Sequence, residues 1–188
     1  MMKIIGIDYS LNSPALCISK SNGVDIGIKD CEFHFLTAKK KYQGKVASKV
    51  YGHEYPIYYS DNIHRFSLIA EWVLSFIDKE NTRVFIEGYS FGSKGQGLFQ
   101  IAENCGILKY ELMKNLNTNY STIVPSVVKK RATNKGNANK QQMYEQFMKD
   151  GGKDLVSELG MNKLSNPVTD IVDSYYIMRT GNEDCYCN

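Results

Sequence analysis

Several classes of protein are excluded by what this 188-residue chain lacks. No apolar run reaches the length of a membrane span, since even the stretch 69–77 is broken by Glu71. The opening residues, Met1-Met2-Lys3-Ile4-Ile5-Gly6-Ile7-Asp8, hold too short an apolar run for a secretion signal and lack a small-residue cleavage site. Cysteine supplies no disulfide framework: the five residues, at 17, 31, 105, 185 and 187, are an odd number without regular spacing. Cys17, Cys31 and Cys105 lie among apolar neighbours and read as small buried side chains in a reducing compartment. Cys185 and Cys187 have no second pair with which to grip a metal, and read as a frayed tail. Charge of neither sign dominates, because 23 Lys and Arg face 20 Asp and Glu, a net of +3. That balance does not by itself announce a nucleic-acid partner. A cytoplasmic protein is expected.

What is present suits one domain over residues 1–188, with 43% hydrophobic residues to fill its core. Residues 3–7 form a nearly continuous apolar run, the pattern of a strand covered on both faces. A Ser-Leu-Asn-Ser-Pro turn leads to a second run at 15–19, and Asn22-Gly23 marks a hairpin into a third strand within 24–35. Residues 37–60 mix lysines with Tyr42, Tyr51, Tyr55, Tyr58 and Tyr59 and show little period, so an exposed basic-aromatic insertion is expected there. Ile63, Phe66, Ile69, Ala70, Val73, Leu74 and Ile77 recur at helical spacing, giving about five turns ended by Asn81. A buried strand at 84–86 runs into Glu87, and a second helix extends to about Leu116. A fifth strand is expected at 121–124, then helix from Pro125 broken near Asn134 and resumed over 138–149. Asn166 as cap and Pro167 in the first turn start a last helix to about Arg179. The expected architecture is α/β, a mixed five-stranded sheet flanked by helices.

Four acids stand out against this pattern. Asp8 and Glu87 end strands that are otherwise apolar, while Asp170 and Asp173 are three apart on one helix face. A carboxylate at the end of a buried strand is costly unless its charge is compensated. Mg²⁺ compensates such groups through a few carboxylates, water and substrate phosphate. Two ions sharing a site activate a water and stabilise the leaving oxygen in phosphodiester hydrolysis. Singly, each acid also has a structural reading: Asp8 as a turn cap, Asp170 as a first-turn acid favoured by the helix dipole. Their order, strand Asp, strand Glu, then Asp-x-x-Asp on a helix, is the more informative feature.

In that order, Ile4-Ile5-Gly6-Ile7-Asp8, Phe85-Ile86-Glu87 and Asp170-Ile171-Val172-Asp173-Ser174 resemble the three acidic motifs of the RuvC-type Holliday junction resolvases. Asn104-Cys105-Gly106 falls where that family has a glycine in the helix after the acidic strand, and Lys129 and Lys140 match two of its basic residues in spacing. The resemblance implies an RNase H-like fold, a homodimer, and symmetric cutting of four-way DNA junctions with Mg²⁺ or Mn²⁺, two ions per site. It implies Asp8, Glu87, Asp170 and Asp173 as metal ligands, with Lys129 and Lys140 near the scissile strand and Lys140 neutralising charge on the phosphate. Departures exist. The 37–60 segment looks inserted, the connection 149–166 is long, and the aromatic expected after the strand glutamate is out of register, with Tyr89 and Phe91 flanking Ser90.

Between residues 129 and 153 seven basic residues face two acids, a local net of +5. A solvated helix face is the usual meaning of such a run. Lys140, however, lies near a helix start, where a cation needs an anion beside it. DNA contacts are therefore expected from Lys129, Lys130, Arg131, Lys135 and Lys140, with Lys94, Tyr89 and Phe91 from the segment after Glu87. The tyrosines of 37–60 either stack on unpaired bases, line a dimer interface or cover the sheet. The glycine-rich stretch 92–97 lacks the ending of a P-loop and the order of a dinucleotide site. His34, His53 and His64 share no ligand spacing. Alternatives are an RNase H-like nuclease acting on RNA, hybrids or branched DNA, a junction-binding protein that does not cut, and a small actin-like ATP-binding domain. The last needs a second phosphate loop and a longer chain.

Overall fold

The computed structural model describes residues 2–20, 25–89, 96–116 and 120–186. In chain order its elements are β1 (Lys3–Asp8), β2 (Ala15–Ser19), β3 (Cys31–Thr37), β4 (Gly44–Ala47), β5 (Val50–Glu54), α1 (Asn62–Leu74), β6 (Thr82–Glu87), α2 (Gln96–Leu116), β7 (Tyr120–Ile123), α3 (Pro125–Thr133), α4 (Lys140–Lys149), α5 (Leu155–Glu158) and α6 (Val168–Tyr186). Among the described residues the strands form one mixed sheet in the order β4-β5-β3-β2-β1-β6-β7. β1, β2 and β3 are antiparallel, whereas β6 and β7 run parallel to β1.

Alternation along the central strands sends side chains to two separate cores. Ile5 and Ile7 of β1, with Val84 and Ile86 of β6, pack on Ile69, Val73, Leu108 and Leu112 of α1 and α2. Ile4 and Phe85 belong to the opposite core, with Phe147, Val168, Ile171, Tyr175 and Met178 of α4 and α6. Asp8 and Glu87 continue the second set, because side chains two apart on a strand share a face. Both acids therefore project from the sheet towards α6. At Gly6 that helix comes so close that an added Cβ would lie 2.3 Å from the Ser174 carbonyl oxygen and 2.4 Å from the Met178 nitrogen.

The expected α/β sandwich is present, with seven strands rather than five. The difference lies in residues 37–60, which are not an exposed excursion. They add β4 and β5, and β5 pairs in parallel with β3 from Phe33↔Val50 to Thr37↔Glu54. Tyr42 and Tyr55 are buried there, and Tyr51 stacks on His34 at 5.2 Å. The short spacing of these strands hid them, since four or five residues carry too little period to read. The third strand starts at Cys31, after a 3₁₀ turn at Ile28–Asp30, and Asn22-Gly23 falls outside the described residues.

α1 stops at Leu74, earlier than its periodicity suggests, while Phe76 and Ile77 continue only as backbone turns. α6 runs past Arg179 to Tyr186, so Cys185 belongs to a helix and not to a frayed tail. Asn166 does not act as the expected backbone cap: its side-chain oxygen accepts the Thr169 hydroxyl at 2.7 Å, and the Asn166–Pro167 bond is cis. α3 ends as expected at Asn134, which is left-handed at φ 62°. Among the described residues no helix is long and apolar enough to cross a membrane.

Candidate active site

Parallel pairing of β1 with β6 in the register Ile7↔Ile86 sets Asp8 beside Glu87 at the ends of neighbouring strands. α6 crosses the same face and brings Asp170 and Asp173 to them. The four acids perturb one another. Burial raises Asp8 well above the usual carboxylate range, and Asp170, Asp173 and Glu87 push it further, while Lys140 opposes the shift. Glu87 is raised to about 7, first by burial and then by Asp173, with Lys129 opposing. Asp170 and Asp173 are each raised to about 6, chiefly by burial. Lys140 opposes both shifts, and Lys129 opposes that of Asp173. Four carboxylates crowded into low dielectric with two lysines nearby lack cationic charge.

A hydrogen-bonded circuit holds the most buried of these acids, Asp170, which is 3% exposed. Ser13 donates its hydroxyl to Oδ2 of Asp170, and the Asn166 amide donates to Ser13 Oγ at 2.8 Å. Thr169 Oγ1 lies 3.2 Å from the other carboxylate oxygen and receives a hydrogen bond from Lys140 Nζ at 3.3 Å. The turn after β1, the approach to α6 and the first residue of α4 thus meet on one carboxylate. Ser13 and Thr169 have no signal in the sequence, because a hydroxyl in a turn or a helix's first turn is ordinary. The contact of Ser13 with Asp170 exists only once 157 residues of chain have folded back.

Beside Asp8 and Glu87 opens a cleft of about 380 Å³ lined by Tyr9, Leu11, Tyr89, Leu98, Ile101 and Cys105. Tyr89 lies below Lys109, whose Nζ is 4.9 Å from the ring centroid, and is half exposed to the cleft side of α2. Of the other basic residues, Lys130 and Lys135 are exposed, whereas Arg131 is engaged with Glu183 at 3.2 Å and Asp184 at 2.8 Å. That engagement makes Arg131 a tie between α3 and α6 and leaves its charge neutralised. Phe91 and Lys94 lie outside the described residues. His34 Nδ1 and His53 Nε2 are 2.9 Å apart across β3 and β5, and His64 is exposed near the start of α1.

The donor set suits a hard divalent cation, since it offers only carboxylate oxygens whose mutual repulsion a cation would relieve. Among the described residues, however, no group of three or more His, Cys, Asp or Glu side chains has the geometry to hold a metal ion. The acids share one face and one field without closing around a point.

Comparison with known proteins decides the fold. The structure of Thermus thermophilus RuvC aligns with 99% of this chain and 96% of its own, at 14% identity and a TM-score of 0.55. This chain has the RuvC fold. T. thermophilus RuvC in complex with a Holliday junction substrate aligns with 100% of the chain and 96% of its own, again at 14% identity, with a TM-score of 0.59. No protein-family model and no curated protein sequence matches the chain. The likeness to RuvC therefore rests on the path of the backbone, and it extends over nearly the whole chain.

Proposed function

We propose that this protein is a metal-dependent endonuclease that resolves four-way DNA junctions by paired phosphodiester hydrolysis. The observation that carries the reading is the convergence of Asp8, Glu87, Asp170 and Asp173, from two parallel strands and one helix, with Lys140 and Lys129 alongside. The likeness to RuvC bound to a Holliday junction supports the choice of substrate. In this reading Asp8, Glu87, Asp170 and Asp173 hold Mg²⁺ or Mn²⁺. Two such ions, when bound, supply Lewis-acid activation of a water and neutralise the developing charge of the phosphate.

The chain's own residues do the rest. Ser13 and Thr169 fix the orientation of Asp170, so a binding group is already in place before DNA arrives. Lys140, at the first position of α4, directs its charge to the same locus and stabilises the charge that builds on the phosphate oxygens. Lys129, Lys130 and Lys135 on α3 and the turn after it contact the DNA backbone, and Tyr89 lies where a base leaves the stack beside the cleft. Arg131 is not among these contacts.

A homodimer belongs to the proposal, because symmetric nicking needs two sites. The exposed face of α2 supports it. Phe99 is 72% exposed, Tyr110 and Met113 lie on the same side, and a Cβ at Gly106 between them would meet nothing within 4 Å. A second copy of this face would bury the stripe, with Gly106 allowing close approach. Free, buried Cys17, Cys31 and Cys105 suit the cytoplasm as the setting.

The test is cleavage of an end-labelled four-way junction, a linear duplex and an RNA–DNA hybrid, in Mg²⁺ or EDTA. Paired nicks in the junction alone, lost in EDTA and in Asp8→Asn, are expected. Cleavage of the hybrid instead would move the substrate to RNA. Tight junction binding without cutting would make the protein a recognition factor.

A further inference from the structure

The connection from β5 to α1, residues 55–61, keeps two tyrosines out of the core although Tyr42 and Tyr55 nearby are folded into it. Tyr58 is 85% exposed, and Ile57, Tyr59 and Ile63 are exposed around it. Such a cluster is not needed to close the sheet, since Tyr55 already anchors the segment: its hydroxyl donates to the Leu11 carbonyl at 2.6 Å. Leu11 lines the cleft beside Asp8. The exposed tyrosines are therefore tethered directly to the loop that follows the first catalytic strand.

Arg65, one turn into α1, lies against the same segment. Its guanidinium is 5.5 Å from the Tyr59 ring centroid and 5.0 Å from that of Phe66. Among the described residues it closes no ion pair, and its buried Nε has no hydrogen-bond acceptor. Beside Tyr58 a largely apolar groove of about 350 Å³ is lined by Leu36, Tyr55, Ile57, Leu68 and Trp72, with Glu54 its one charged residue. The nearby Asp61 does not answer Arg65, because its carboxylate caps α1 by accepting the His64 N–H at 2.9 Å. Exposed aromatic faces beside a cation without an ion pair describe a partner with flat rings and anionic groups.

We infer that Tyr58, Tyr59 and Arg65 form a second DNA contact, which stacks an unpaired nucleotide of a branched substrate and pairs its phosphate with the guanidinium. The inference rests on the reading of branched DNA as the substrate, and it gives the 37–60 segment a role that the four acids do not supply. A fully paired duplex offers no free base face, so the contact selects branched over linear DNA. A protein partner at the same face is the rival occupant, and the uncompensated charge of Arg65 favours DNA.

The test uses the full chain in EDTA, with a three-way DNA carrying unpaired thymidines and 2-aminopurine at the branch, and a paired duplex of equal length. The Tyr58→Ala/Tyr59→Ala variant should bind the branched DNA about tenfold or more weakly, and the duplex within about twofold of wild type. Quenching of 2-aminopurine should be lost with it. Tyr58→Phe/Tyr59→Phe should restore both, because the ring and not the hydroxyl stacks. Arg65→Gln should lower the salt dependence of binding by about one counterion. Equal weakening on both DNAs, or none, overturns the inference, as does a changed sedimentation coefficient in the alanine variant, which would assign the face to self-association. Junction cleavage by the wild type is scored separately. Cleavage with unaltered variant binding overturns the inference and leaves the nuclease standing. Loss of branched-DNA binding by the variant, with a wild type that never cuts, does the reverse.

Discussion

Replacing Gly6 by alanine probes how the fold builds the site. Residue 6 lies on the face of β1 that α6 covers, two residues before Asp8. Its added Cβ would stand 2.3 Å from the Ser174 carbonyl oxygen, 2.4 Å from the Met178 nitrogen and 2.5 Å from the Met178 Cβ. Two of these three atoms are backbone, so no rotamer change relieves the clash. To restore ordinary contact distances α6 must retreat from β1 by about 1 Å. Overpacking of this kind costs about 1–3 kcal/mol. The helix that retreats carries Asp170 and Asp173, and a shift of about 1 Å in a reacting constellation costs on the order of 100-fold in rate. Urea denaturation should therefore report a lower midpoint, and cleavage per folded molecule should fall about a hundredfold. Gly52→Ala is the control. Its Cβ would meet the Tyr42 carbonyl oxygen at 1.8 Å on β5, three strands away from β1 on the same face of the sheet. It should lose stability and keep its cleavage rate per folded molecule. A Gly6→Ala protein with wild-type stability and wild-type cleavage would refute the claim that close packing of α6 on β1 assembles the acids.

Ser13→Ala removes the donor to Asp170 and leaves the Asn166 amide without its acceptor; the Mg²⁺ concentration giving half-maximal cleavage should rise about 10- to 100-fold, and an unchanged Mg²⁺ titration would show that the circuit is incidental. The pH dependence of stability in EDTA has a definite sign. Asp170 and Asp173 titrate near 6 and Glu87 near 7 when folded, against usual values of 3.8 and 4.5. The folded chain thus holds protons that the unfolded chain releases, so stability is lost as pH rises from about 4 through 7. For Asp170 alone the loss is on the order of 3 kcal/mol. Burial depresses His34 to about 4 and lowers His53, which works in the opposite sense over this window. The comparison is therefore between wild type and Asp170→Asn/Asp173→Asn by thermal melting. The variant should gain on wild type as pH rises, and a pH-independent difference would contradict the shifts. Tyr110→Glu/Met113→Glu should sediment as a monomer and nick junction strands singly; a dimer that still cuts in pairs would place the interface elsewhere.

The sequence by itself determined the acids and the elements that carry them. Asp8 and Glu87 are conspicuous because a charge interrupts an apolar strand, and Asp170 and Asp173 because their spacing fits one helix face. Local pattern sufficed there, since the periods of strand and helix are properties of neighbouring residues. Residues 44–54 were opaque for the same reason. Their strands are too short to display a period, and they are strands because β3 offers an edge to pair with. The Ser13–Asp170–Asn166–Thr169 circuit, the engagement of Arg131 with Glu183 and Asp184, and the contact of Gly6 with α6 belong to the tertiary structure alone. Each joins side chains that mean little apart. Hydroxyls, amides and glycines acquire a role only from the partner that folding sets against them, whereas a buried charge declares its cost in any surroundings.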